Sequence, residues 1–334
     1  MLHAQVYVHE IEEGARLLRR ARQDKEAAIL ADFGNQLHPT QRLDMLRKRL
    51  EETKFLKSAP ERIQKSHKAR DNQWGAIKAR IGNHPAVAFT ELGIGYKSVN
   101  EDAFLVMPAH KVLALSDGLG GHPGGEVASA VAIDFFEYGI TQGLSLEEAI
   151  ALANEAVLIR SASDPRLGGM YPMACTFAAV QLKHNMLRIA HVGDTKILGL
   201  RHGEIFFETQ DHTKGQELLR ERLIDATTAV ELNHLLSRCL GLDKIQAWRD
   251  VAIQQVTLQA GDRILLLTDG ITDNFFDAKF SLAPLIPLVE KESLAQAADV
   301  LVEACHRRMH SAHLPDGHPS KPDNISLAMM EYRG

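Results

Sequence analysis

Cysteine is scarce in this sequence: Cys175, Cys239 and Cys305 are the three among 334 residues. The number is odd and the spacing matches no zinc motif, so neither a disulfide framework nor a structural zinc site is expected. A reducing, cytoplasmic setting fits, with each thiol a small buried residue rather than a nucleophile. Long apolar runs are missing too. No stretch approaches the ~20 residues of a membrane-spanning helix, and polar residues follow the N-terminus almost at once, so no membrane association is expected. Repeats and low-complexity tracts are absent. Several catalytic signatures are absent as well. In Gly118-Leu-Gly120-Gly-His-Pro123, a proline stands where a dinucleotide-binding loop needs its third glycine. No Gly-Lys-Ser/Thr follows a Gly-rich loop, and neither His-Glu-x-x-His nor Gly-x-Ser-x-Gly occurs. Together these exclude a P-loop, a zincin helix and a nucleophile elbow.

What is present reads as globular: 45% apolar and 24% charged residues, ordinary for a folded domain. Charge divides the chain. Residues 1–85 hold 17 Lys and Arg against 11 Asp and Glu, a net +6, and residues 86–334 hold 21 against 32, a net −11. Opposite signs suggest two units, with a boundary at Asn83-His84-Pro85. The first reads as helical. Helices are expected from Val6 to about Leu30 and from Thr40 to Lys57. A third stripe, Ile63, His67, Arg70, Trp74, Ile77 and Ile81, steps by three and four. The Arg-rich clusters are interleaved with acids and carry no helix-turn-helix or zinc-finger signature. Nucleic acid is therefore not the expected partner, and a solvated docking or regulatory face is.

From Ala86 the texture changes to short β-type runs: Val87–Thr90, Phe104–Met107, Val112–Leu115, Thr176–Leu182, Leu187–Val192, Lys196–Leu200, Val251–Leu258, Ile264–Leu267 and Ile325–Met330. Helical patterns stand between them at Gly125–Tyr138 and Ser145–Ser161, with Ser145 and Glu148 in capping-box order. Later ones are Gln216–Leu223, Ala229–Arg238 and Ser293–His310. Strands that neighbour in sequence, as across His184-Asn185, predict antiparallel sheets with helices on their outer faces.

The ends of these strands carry acids. Val112–Leu115 runs into Asp117-Gly118, Ile264–Leu267 into Asp269-Gly270, and Leu187–Val192 into Gly193-Asp194. Asn100-Glu101-Asp102 and Pro322-Asp323-Asn324 precede two further runs. Asp-Gly is a common turn, but five acidic positions at five strand ends predict a convergent carboxylate cluster. Such a cluster needs cations to neutralise it, and oxygen-only ligands suit Mg²⁺ or Mn²⁺ rather than Zn²⁺. With no covalent nucleophile in view, the expected nucleophile is water, activated for attack on a phosphoryl group. His306, His310, His313 and His318 are irregularly spaced and read as part of a solvated loop.

Glu101-Asp102, Asp117-Gly118 followed by Gly-Gly-His, Gly193-Asp194, Thr268-Asp269-Gly270 and Asp323-Asn324 resemble the ordered motifs of metal-dependent Ser/Thr protein phosphatases of type 2C. The resemblance spans about Ala86 to Glu331. It implies an α+β fold, a four-layer α-β-β-α sandwich of two antiparallel sheets flanked by helices, here preceded by an all-helical segment. It implies a centre of two Mn²⁺ or Mg²⁺ ions, with a third held more weakly in many bacterial members. Asp117 would bridge the two ions and the Gly118 carbonyl would serve one of them. Asp269 and Asp323 would bind the other, Glu101 and Asp102 would act nearby, and Asp194 and Asp273 would hold the third. Lys97 stands where the family usually grips substrate phosphate with Arg; a point charge replaces a bidentate fork. Lys196 is a second such exchange. His122 is either a proton donor or a supporting residue, and a metal-bound water is the other candidate donor. Asp211–Arg238 resembles the family's flap, or is a plain helical insertion.

The expectation is a cytoplasmic phosphoprotein phosphatase over residues 86–334, acting on phosphoserine and phosphothreonine opposite a Ser/Thr kinase pathway. Residues 1–85 would be a docking segment of unknown partner. The alternative is a catalytically weak or inactive phosphatase fold that signals through those helices.

Overall fold

The computed structural model describes residues 77–94, 98–167, 172–225, 228–229, 232–242, 251–276, 281–290, 293–311 and 320–334. The helices expected before residue 77, and Lys97, His313 and His318, lie outside the described residues.

Alternation of buried and exposed side chains begins at once. Ile77–Ile81 is strand β1, with both isoleucines buried and Lys78 and Arg80 exposed. It turns through Gly82-Asn83 into β2, His84–Glu91, and the two pair antiparallel from Ile77↔Ala88 to Ile81↔His84. The helical reading of this stretch is therefore corrected, and the boundary drawn after residue 85 falls inside a hairpin. A spacing of four between Ile77 and Ile81 satisfies a helix face, but it is also two periods of a strand.

The remaining strands are β3 (Asp102–Met107), β4 (Val112–Asp117), β5 (Phe177–Lys183), β6 (Met186–Val192), β7 (Lys196–Arg201), β8 (Glu204–Glu208), β9 (Ala252–Thr257), β10 (Arg263–Leu267) and β11 (Ile325–Glu331). One sheet runs β1-β2-β11-β10-β7-β8 and the other β3-β4-β5-β6-β9, and every pairing is antiparallel. The expected hairpin at His184-Asn185 joins β5 to β6.

Helix α1 (Gly125–Thr141) packs on β3 and β4, and α2 (Leu146–Ala162) packs on α1, β5 and β6. The capping box is formed: Glu148 N–H donates to Ser145 Oγ, and Ser145 N–H donates to the Glu148 carboxylate. On the other side α6 (Leu294–Met309) covers β2 and β11. Its Leu301, Val302 and Cys305 join Phe89, Leu265, Leu327 and Met329 in one apolar cluster. Three shorter α-helices are α3 (Lys214–Arg220), α4 (Asp269–Thr272) and α5 (Ile286–Val289). The sheets face each other through β2, β3, β4, β10 and β11. The fold is the expected sandwich of two antiparallel sheets flanked by helices. Residues 232–238 form turns and an isolated bridge from Thr213 to Leu236, so the helix expected to reach Arg238 does not.

Candidate active site

The acids converge because both sheets end at the same rim. Asp102 opens β3 and lies opposite Asp117, the last residue of β4. Asp194 sits where β6 leaves one sheet and β7 enters the other. Asp269 starts α4 directly after β10, and Asp323 stands two residues before β11, the neighbour of β10. Buried hydroxyls and one amide fix these ends. Thr268 Oγ1 donates to Asp102 Oδ2 at 3.0 Å and joins the two sheets. Thr176 Oγ1 accepts from Asp117 N–H at 3.1 Å and shares a 2.5 Å bond with Thr195 Oγ1 beside Asp194. Asn324, 2% exposed, accepts from Glu101 N–H at 2.9 Å and donates to the Leu92 carbonyl at 3.0 Å. Sequence reading took Asp323 from this pair and missed its neighbour's clamp.

Two glycines permit the approach. A Cβ on Gly270 would lie 1.9 Å from the Asn324 carbonyl oxygen, so only glycine lets α4 meet the start of β11. Gly193 has φ +102 and lies against Thr176, which brings Asp194 towards Asp117. Gly118 lies against the backbone of Gly125, and the Glu101 carboxylate reaches the same face of Gly125.

The carboxylates act on one another electrostatically. Burial, and then repulsion from Asp102, Asp269, Asp323 and Asp194, push the Asp117 carboxyl well above the usual range. Burial, and then Asp269, Asp211 and Asp273, push Asp194 the same way. Burial and these neighbours raise Asp273 to about 6, with Lys321 opposing. Among the described residues, no group of three or more His, Cys, Asp or Glu side chains could hold a metal ion as it stands. An ammonium stands among the acids instead: Lys321 Nζ contacts Asp269 Oδ2, lies 3.1 Å from Asp273 Oδ2 and 3.8 Å from Asp323 Oδ2. Burial disfavours its charge, but these carboxylates outweigh burial and raise its pKa. A set of hard oxygen donors, mutually repelling and drawn around a cation, fits divalent Mg²⁺ or Mn²⁺ in its chemistry.

His122 is half-buried in the turn after β4, and its Nδ1 donates to the Pro172 carbonyl at 2.8 Å. Lys196 is 4% exposed; it donates to the Thr209 carbonyl and pairs with Asp211 at 2.5 Å. It therefore anchors the start of the Asp211–Arg238 segment. Beside it a cavity of about 240 Å³ is lined by Lys196, Asp211, Gln216, Asn233 and Phe276 among others. Cys239 and Cys305 are buried and pushed up to about 12 by burial, and Cys175 is raised the same way, so none is a nucleophile at neutral pH. His306 pairs with Glu91, and His310 Nδ1 donates to the His306 carbonyl, so neither contributes to this rim.

A rim of carboxylates thus lies where two antiparallel sheets end, and comparison identifies the family. The protein phosphatase 2C family profile matches residues 94–305, and the chain belongs to that family. The matched span ends before Asp323, which the fold brings to the rim. The chain is 30% identical over 240 residues to the Ser/Thr protein phosphatase PstP of Mycobacterium tuberculosis, covering 70% of this chain and 42% of PstP. The chain thus spans less than half the length of that curated relative. It is 26% identical over 234 residues to the Ser/Thr phosphatase stp of Listeria monocytogenes, covering 66% of this chain and 84% of stp. The crystal structure of the PstP catalytic domain in complex with two manganese ions aligns with a TM-score of 0.59 at 26% identity. That alignment covers 75% of this chain and 98% of the other.

Proposed function

We propose that this chain is a metal-dependent phosphatase that hydrolyses phosphoserine and phosphothreonine in proteins. The observation that carries the reading is the meeting of Asp102, Asp117, Asp194, Asp269 and Asp323 at one rim, in a chain of the protein phosphatase 2C family. Two Mn²⁺ or Mg²⁺ ions would supply the Lewis acidity that makes water a competent nucleophile near neutral pH. Asp117 would hold both ions and the Gly118 carbonyl one of them; Asp269 and Asp323 would hold the other. Glu101 and Asp102 would orient water around them, and Asp194 with Asp273 would hold a weaker third ion.

The protein's other groups would do the positioning. Lys97 would draw the substrate phosphate to the rim as a point charge. His122, its Nδ1–H fixed on a backbone carbonyl, would carry a proton on Nε2 to the departing serine or threonine oxygen. The segment from Asp211, anchored through Lys196, would shape the approach of the phosphoprotein. Three buried free thiols and a phosphoprotein substrate suit the cytoplasm and a Ser/Thr kinase pathway. No helix among the described residues is long and apolar enough to cross a membrane. Catalysis would belong to a unit that begins by Ile77, and the preceding residues would serve docking or regulation.

Hydrolysis of a phosphothreonine peptide with Mn²⁺ titrated in tests this reading. Wild type should turn over only with the metal. Asp117→Asn and Asp269→Asn should each lose at least about 100-fold, more than the loss of an outer-sphere partner costs. A folded wild type that is inactive with every divalent ion would leave the phosphatase-like signalling module as the reading.

A further inference from the structure

Lys321 was no part of the expected site, yet it touches more of the rim's carboxylates than any other basic residue among the described residues. Its backbone is held in place. Lys321 N–H donates to Asn274 Oδ1 at 3.0 Å, and its carbonyl accepts from Asn274 Nδ2 at 2.8 Å. Asn274 is fully buried, and its Nδ2 also donates to the Gly270 carbonyl at 2.8 Å. The stem of the lysine is thus tied to the turn that carries Asp269 and Asp273. Its side chain is 38% exposed. Four rotatable bonds on a fixed stem, with one side open to water, allow the ammonium to leave without disturbing the backbone.

We propose that Lys321 is a tethered counter-cation: its ammonium holds Asp269, Asp273 and Asp323 together without metal and must swing outward before a divalent ion binds them. The inference rests on the reading of Asp269 and Asp323 as metal ligands. The physical ground is competition. An ammonium and a divalent cation seek the same carboxylate oxygens, repel each other, and cannot share them. The ammonium therefore takes up part of the metal-binding free energy and sets the metal concentration at which the site fills. If the lysine-in state holds about 90% of metal-free molecules, the apparent metal affinity falls about tenfold below the intrinsic one. The lysine also replaces like-charge repulsion with attraction while the metal is away, so the metal-free fold is steadier with it than without it.

The test uses the full chain, with Mn²⁺ binding followed by calorimetry and thermal unfolding followed in EDTA. The binding event in question is the one that Asp269→Asn removes. Lys321→Met should bind Mn²⁺ there about tenfold tighter, and should unfold at a lower temperature in EDTA but not with saturating Mn²⁺. Lys321→Arg, which keeps the charge, should stay near wild type in both. If Lys321→Met does not fold without metal, Lys321→Gln is compared by the same two readouts. Unchanged affinity and unchanged metal-free unfolding in the neutral variant would overturn the lysine's role and leave the metal centre standing. A folded wild type that binds no Mn²⁺ would overturn the centre, and the lysine's role with it.

Discussion

His212 shows how one side chain ties the rim to pH. It is 9% exposed, stacks on His191 at 4.7 Å, and its Nδ1 accepts from Gly193 N–H at 3.2 Å, next to Asp194. Burial, then the neighbouring His191 and Arg238, hold its pKa down at about 3. The unfolded chain takes up a proton near pH 6.5, whereas the folded chain does so only near 3. Stability is therefore fully present above about pH 6.5 and is lost as pH falls through that window, by up to about 1.4 kcal/mol per pH unit. His191 is shifted in the same direction, with burial again the main cause. His212→Gln keeps an acceptor for Gly193 without the titration, so its melting temperature should fall less than wild type's between pH 7 and pH 5. A thermal-unfolding series across that range checks it. The acids at the rim were legible at this scale because Asp-Gly and Asp-Asn punctuate apolar runs. Lys321, Thr176 and the clamp made by Asn324 were not, since a lysine two residues before Asp323 looks like any loop charge until the fold sets it among three carboxylates. Lys97, which the resemblance singled out, stays a proposal.

Between elements, the decisive contact is that of α4 with the start of β11. Gly270 has no alternative there: the obstacle to a Cβ is the backbone carbonyl of Asn324 at 1.9 Å, not the yielding end of a side chain. Gly270→Ala should therefore force Asp269 and Asp323 apart and destabilise the chain by about 1–3 kcal/mol, the usual cost of overpacking. The urea midpoint should drop, and Mn²⁺ affinity should drop further than stability alone explains. A variant that kept the wild-type midpoint would show that this junction has slack. Element-level reading succeeded where local rules are unambiguous. The capping box at Ser145 and Glu148 formed as expected, and eight strands were recovered within two residues at either end. It began β2 three residues late, at Val87 instead of His84, and missed β1 because its two isoleucines satisfy both periods. It missed β8, Glu204–Glu208, because an edge strand with every residue at least partly exposed carries little alternation in hydrophobicity.

For the whole molecule, the question is where the phosphatase unit begins, and β1 moves that point ahead of the boundary drawn from charge and punctuation. A chain starting at Ala86 would lose buried Ile77 and Ile81, and with them the strand that covers β2. It would also lose His84, which stacks on Tyr332 at 4.6 Å and accepts from Arg333 N–H at 3.0 Å. Two buried isoleucines removed from a core cost about 2–5 kcal/mol each when truncated to alanine. In a domain of this size each kcal/mol lowers the melting temperature by roughly 2–4 °C. A chain starting at Gly75 keeps all of these contacts. It should melt at least about 10 °C above one starting at Ala86 and hydrolyse a small aryl phosphate at nearly the full-length rate. Residues 1–74 then hold 15 Lys and Arg against 11 Asp and Glu, a net +4 against a net −9 for the remainder, and a separate task is proposed for them. If that task is docking, the Gly75 chain should differ from the full chain on phosphoproteins and not on the aryl phosphate, and more so at low salt, where charge acts over longer distances. Equal rates on both substrates at every ionic strength would remove the docking role and leave the catalytic unit as the whole of the phosphatase.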